Sequence, residues 1–201
     1  MGGLEIIIID GSKTAHGRRG RPNGTDVALA TDRKIHPGAL VVLSAREMVD
    51  CVLARAGRRE IHRLIIWGHG CPGVQGIGAG DNFLHLDRIA PRILRVNDHN
   101  LLLNRAQLSR LRHKFDHDGI VELHGCQVAQ YHEGRELLRQ LSDLWGVRVR
   151  GALFNQPSDT PNRFFGPVVE AGTNTKRRHA RVHLSGAGVP ISIPPSDRYA
   201  K

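Results

Sequence analysis

Aromatic side chains are scarce in this chain, at 4% of 201 residues. Surfaces that stack bases interleave aromatics with basic residues, so the scarcity argues against a nucleic-acid partner, and no standard nucleic-acid motif is present. Cysteine is scarcer still. Three unevenly spaced residues do not make a disulfide scaffold, and reduced thiols are expected. No apolar run approaches the roughly 18–20 residues of a membrane-crossing helix, so no membrane partner is expected. Met1-Gly2-Gly3-Leu4-Glu5 lacks the basic start and apolar core of a secretory signal. The chain is therefore expected in the cytoplasm, or exported without a cleavable signal peptide. Acidic residues are outnumbered, 19 against 29 basic ones of which 24 are Arg, for a net charge of +10. Such a surface suits polyanions or acidic partner surfaces and is silent about fold.

What is present is an ordinary globular composition, 40% hydrophobic with 23 glycines, enough for one domain with a sizeable core. Leu4–Ile9 is a continuous apolar run ending in Asp10-Gly11, the pattern of a central strand buried on both faces. A basic, glycine-rich loop follows over 11–26. Ser44 precedes Glu47 at capping-box spacing, Ala45 to Ala56 carries a helical apolar period, and Gly57 closes that helix. Ile61–Trp67 is a second strand. Short strands and turns are expected over 74–86, and a helical tendency over 87–114 that Pro91 and the Asn97–Asn100 turn interrupt, with Asn104 as a cap for its last part. Gly119–Leu123 is a third strand, a helix follows through Leu137, Leu141 and Trp145, and Val147–Leu153 is a fourth strand. Phe165–Glu170 adds an edge strand, and residues 171–201 read as a basic, proline-rich tail loosely attached to a 1–170 domain. Strands alternating with helices predict an α/β fold, a mostly parallel sheet with helices on both faces. Ligand chemistry in such sheets gathers at the carboxyl ends of the strands.

One tripeptide occurs twice at such ends. His69-Gly70-Cys71 closes the second strand and His124-Gly125-Cys126 the third. Three chemistries fit two imidazoles and two thiols brought together. A thiolate from one strand attacks a carbonyl while an imidazole from the other carries the proton, with the glycines giving close approach and amides for an oxyanion hole. Alternatively His69, Cys71, His124 and Cys126 form a tetrahedral zinc site, although His-x-Cys is tighter than the usual ligand spacing. The third reading is structural: small buried thiols and hydrogen-bonded histidines. Spacing alone leaves the three open, and does not say which His pairs with which Cys.

The strand LIIWGHGCPG followed some fifty residues later by IVELHGCQVA resembles the caspase-like (clan CD) cysteine peptidases. It is most similar to bacterial members such as the self-cleaving cysteine protease domains of toxins and gingipain-like domains. In those, His-Gly is followed by Pro-Gly and a short strand, and the nucleophile sits in a Gly-Cys step. The resemblance covers roughly residues 4–170. It implies a caspase-like three-layer sandwich, thiol-dependent hydrolysis of a protein or peptide substrate without a cofactor, and a bacterial effector or toxin module.

Residue by residue, the resemblance makes His69 the general base and acid, Cys126 the nucleophile, and the amides of Gly70 and Cys126 the oxyanion donors. His124 and Cys71 match no catalytic position, so His124 becomes structural or pocket-lining. Cys71 becomes a spare thiol open to oxidation with Cys126. Caspases carry Gln-Ala-Cys-Arg-Gly around the nucleophile, and this chain does not, so cleavage after Asp does not carry over. The pocket for the residue before the scissile bond is implied between the first strand's end (Asp10, Ser12) and the loop after the fourth strand (through Asp159). Asp10 there would favour Lys or Arg. A polyanion regulator is implied by related toxin domains, with Arg18, Arg19 and Arg21 or Lys176, Arg177, Arg178 and Arg181 as its seat.

Overall fold

The computed structural model describes residues 3–10, 37–77, 83–85, 100–156, 164–172, 181–184 and 190–191. The apolar run Leu4–Asp10 forms β1, followed among the described residues by β2 (Leu40–Val42), α1 (Ala45–Ala56) and β3 (Ile61–Trp67). Three short strands come next, β4 (Gly70–Cys71), β5 (Val74–Gly76) and β6 (Phe83–His85), which form a small antiparallel sheet. Then come α2 (Asn100–Ser109), β7 (Phe115–Leu123), α3 (Tyr131–Trp145) and β8 (Arg148–Ala152). The order ends with β9 (Pro167–Ala171), β10 (Arg181–Leu184) and β11 (Pro190–Ile191).

The large sheet runs β11-β10-β9-β8-β7-β3-β1-β2. Its strands β2, β1, β3, β7 and β8 are parallel, and β9 to β11 continue it antiparallel. The fold is thus mixed α/β around a mostly parallel sheet. One face of the parallel strands, carrying Ile6, Ile8, Leu64, Ile66, Val121, Leu123 and Val149, joins the core with α1 (Met48, Val49, Val52), α2 (Leu108) and α3 (Leu137, Leu138, Leu141, Trp145). All three described helices share that face. The expectation of helices on the second face rests on segments outside the described residues. The fully buried Trp145 ties α3 to α2 by donating its indole N–H to the Leu108 carbonyl at 3.0 Å. Among the described residues no helix is long and apolar enough to cross a membrane.

α1 begins and ends where its caps stand. Ser44 Oγ accepts the Glu47 N–H at 3.0 Å, the Glu47 carboxylate accepts the Leu43 N–H at 2.7 Å, and Gly57 takes φ +55° beyond the last turn. Ser44→Ala removes the acceptor for one orphan donor and is expected to cost about 1 kcal/mol. Thermal unfolding checks it as a modest fall in Tm with the fold retained.

Several boundaries differ from the sequence reading, and the expected edge strand Phe165–Glu170 is Pro167–Ala171, lying between β8 and β10 rather than at an edge. Asn104 lies inside α2 rather than capping it, because the helix is already under way at Asn100. β7 starts at Phe115, not Gly119, since Phe115 pairs with Ile61 and the polar Asp116-His117-Asp118 step rides on the exposed end of the strand. Arg181–Leu184, within the stretch expected to be loosely attached, pairs along its whole length with β9.

Candidate active site at the carboxyl edge of the sheet

Because β1, β3, β7 and β8 run parallel, their carboxyl ends share one edge, and the chain's direction across the sheet reverses beside β1. In open α/β sheets, ligands bind at the carboxyl ends of the strands beside such a reversal. Asp10, Gly68-His69, His124-Gly125-Cys126 and the segment after Ala152 all stand on this edge.

The β3·β7 ladder pairs Ile66 with Leu123, and the His124 N–H donates to the Ile66 carbonyl at 2.9 Å. Beyond it the two backbones converge. A Cβ built on Gly70 would lie 2.7 Å from Gly125 Cα and 2.9 Å from the Cys126 nitrogen, and one on Gly125 would lie 2.9 Å from Gly70 Cα. No side chain fits at either position, so these two glycines are what allow the tripeptides to touch. His69 and Cys126 each adjoin that contact in sequence. His69 is exposed and Cys126 half-buried. The Cys126 sulfur accepts the backbone N–H of Gln156 at 3.3 Å, which holds it at the mouth of the β8–β9 connection.

A residue the sequence reading passed over clamps the contact. Gln75 is fully buried on β5; its Oε1 accepts the Gly125 N–H at 2.9 Å and its Nε2 donates to the Gly76 carbonyl at 3.2 Å. The signal was a lone amide in the apolar strand Val74–Gly76, since a buried polar group must find partners. The turn after Cys126 is anchored as well. Gln127 adopts φ +57° and donates its N–H to Phe154 O at 3.1 Å, while the Ala129 N–H bonds Ala152 O at 2.9 Å. A left-handed non-glycine residue directly after a candidate nucleophile is stored strain held by its surroundings.

Beneath the edge lies a charged ladder. Glu5, Arg63, Glu122, Arg150 and Glu170 sit on five successive strands, with Arg63 contacting Glu5 at 2.9 Å and Glu122 at 2.7 Å, and Arg150 contacting Glu170 at 2.6 Å. Glu122 also lies 3.1 Å from His124 Nε2. Burial acts to raise the Glu122 carboxyl, but hydrogen bonds from His124 and Arg63 outweigh it and hold the group below the ordinary carboxylate range. A carboxylate only accepts, so Nε2 is the protonated nitrogen of His124. The ring is 2% exposed and stacks between Trp67 at 5.5 Å and Phe164 at 4.2 Å, centroid to centroid. Its Nδ1 has no partner among the described residues.

The other expected residues fall as follows. Asp10 is 2% exposed, packed under Gly68 and with a carboxylate oxygen 2.9 Å from where a Gly76 Cβ would be. Ser12 and Asp159 lie outside the described residues, as do Arg18, Arg19, Arg21, Lys176, Arg177 and Arg178. Arg181 begins β10. The zinc alternative finds no support: no group of three or more His, Cys, Asp or Glu converges as a ligand set among the described residues.

Residues 34–153 match a family described as a domain of unknown function (DUF4347). The chain belongs to the DUF4347 family. The DUF4347 span takes in both His-Gly-Cys tripeptides, Gln75 and Glu122, and ends just before Phe154. No curated protein matches the chain.

Proposed function

We propose that this DUF4347 chain is a cysteine endopeptidase of caspase-like fold, with Cys126 as nucleophile and His69 as general base and acid. One observation carries the reading: two His-Gly-Cys tripeptides far apart in sequence meet backbone to backbone at the carboxyl edge of a parallel sheet. The short antiparallel strands directly after His69 agree with the resemblance to caspase-like peptidases. In this reading Cys126 Sγ attacks the peptide carbonyl carbon and His69 takes the thiol proton. The amides of Gly70 and Cys126 hold the developing oxyanion. The C–N bond then breaks, His69 returns the proton to the leaving amine, and water hydrolyses the thioester.

The test is cleavage of a peptide library by the purified protein beside its Cys126→Ala variant. Cleavage by the wild type alone is expected; cleavage surviving in the variant would overturn the assignment. Peptides bound but never cut would favour a catalytically silent binding module. Cuts after Lys or Arg would assign Asp10 to the pocket floor, whereas cuts after apolar residues would assign Phe154 and Phe165, which are 51% and 61% exposed. A polyanion regulator seated on the basic clusters belongs to the same proposal.

A further inference from the structure

The two tripeptides do more than touch at their glycines. Gly70 lies against Gly125, and a little further on the Gly73 N–H donates to the Val128 carbonyl at 3.1 Å. Both contacts join residues with the same sequence offset as Cys71 and Cys126. Cys71 and Cys126 therefore both fall between two points at which these segments meet. Neighbouring strands lie roughly 4.7–4.9 Å apart and a disulfide spans Cα atoms roughly 4.4–6.8 Å apart, so backbones that touch on either side of the two cysteines bring them within bridging reach. Both thiols are free, Cys71 exposed and Cys126 half-buried at the site mouth. The third, Cys51, sits midway along α1.

We propose that Cys71 is the resolving thiol of Cys126, so that mild oxidation joins the two in a reversible disulfide and removes the Cys126 sulfur from chemistry. With hydrogen peroxide as oxidant, the Cys126 thiolate attacks one peroxide oxygen. An S–O bond forms, the O–O bond breaks, and hydroxide leaves to become water. The sulfur is now a sulfenic acid, oxidised by the two electrons the peroxide gained. The Cys71 thiolate attacks that sulfur; the S–S bond forms, the S–O bond breaks, and a second water leaves. A dithiol such as dithiothreitol reverses the bond by exchange, its own two thiols becoming the disulfide. Burial pushes the Cys71 thiol up, so the resolving step speeds up as pH rises into the mildly alkaline range. The bond stands on geometry alone, while its meaning as an off-switch rests on the peptidase reading.

The experiment treats the full chain with a several-fold excess of hydrogen peroxide, digests it without reductant and maps the linked peptides by mass spectrometry. Most Cys126 is expected in a Cys71–Cys126 peptide that dithiothreitol dissolves. Cys71→Ser should abolish the link and drive Cys126 to sulfinic acid, whereas Cys51→Ser should change nothing. Sulfinic acid at Cys126 of the wild type with no Cys71 link, or a link to Cys51, overturns the proposal. Peptide cleavage before and after oxidation is a separate arm. A linked peptide from a protein that cuts nothing when reduced refutes the peptidase and leaves the thiol pair standing. Cleavage undiminished in linked protein refutes the switch.

Discussion

Peptide hydrolysis is expected to fall roughly 10³-fold or more in Cys126→Ala and in His69→Ala, because the two act as one unit and removing either leaves only the oxyanion hole and binding. Cys71→Ala should keep most activity, since a neighbouring thiol takes no part in proton transfer. The variants are expected to unfold at close to the wild-type temperature, as Cys126 is only half-buried and His69 exposed. Thiol alkylation supplies a second readout. Burial raises the Cys71 thiol, and burial with the carboxylates of Glu47 and Asp50 raises that of Cys51. At mildly acidic pH both are held further from their reactive thiolates, so iodoacetamide is expected to label Cys126 first. Preferential labelling of Cys71, with hydrolysis surviving Cys126→Ala, would sink the dyad.

The second large effect is on stability. Glu122→Ala strips the carboxylate from between Arg63 and the protonated nitrogen of a fully enclosed His124 side chain. Removing one partner of a buried ion pair costs about 3–5 kcal/mol. The lower end is expected here, because Arg63 is 28% exposed and keeps Glu5. Urea denaturation should record the loss as a lower midpoint at unchanged slope. The pH dependence has a definite sign. The folded carboxyl sits below its unfolded value of about 4.3, so its contribution is complete above that value. It is lost as pH falls from there through the lowered folded value. Glu122→Gln should flatten this acid limb of the stability profile while leaving the neutral region merely lower. An acid limb identical to that of the wild type would show that Glu122 is not the group titrating.

Much of the frame is written locally. Ile61–Trp67 is legible to the residue because it is bounded by Glu60 and Gly68 and its last four residues, Leu64–Trp67, are apolar and buried on both faces. α1 is bounded by Ser44 and Gly57, whose preferences act within a single turn. The tripeptides were visible as strand ends for the same reason. β2 was not, since three residues carry no period, and the polar start of β7 was hidden because its pairing comes from Ile61 rather than from its own composition.

By itself, then, the sequence determined the alternation of strands and helices and the edge on which the histidines and cysteines gather. Periodicity and caps are nearest-neighbour chemistry, complete within each segment. Only the tertiary structure decided that Gly70 lies on Gly125, that the amide of Gln75 clamps them, and that His124 is sealed between Trp67, Phe164 and Glu122. It likewise placed Cys71 and Cys126 between two points at which their segments meet. Those contacts join segments some fifty residues apart in the sequence. A segment's pattern reports which of its faces is buried and carries no record of which distant backbone comes to rest there.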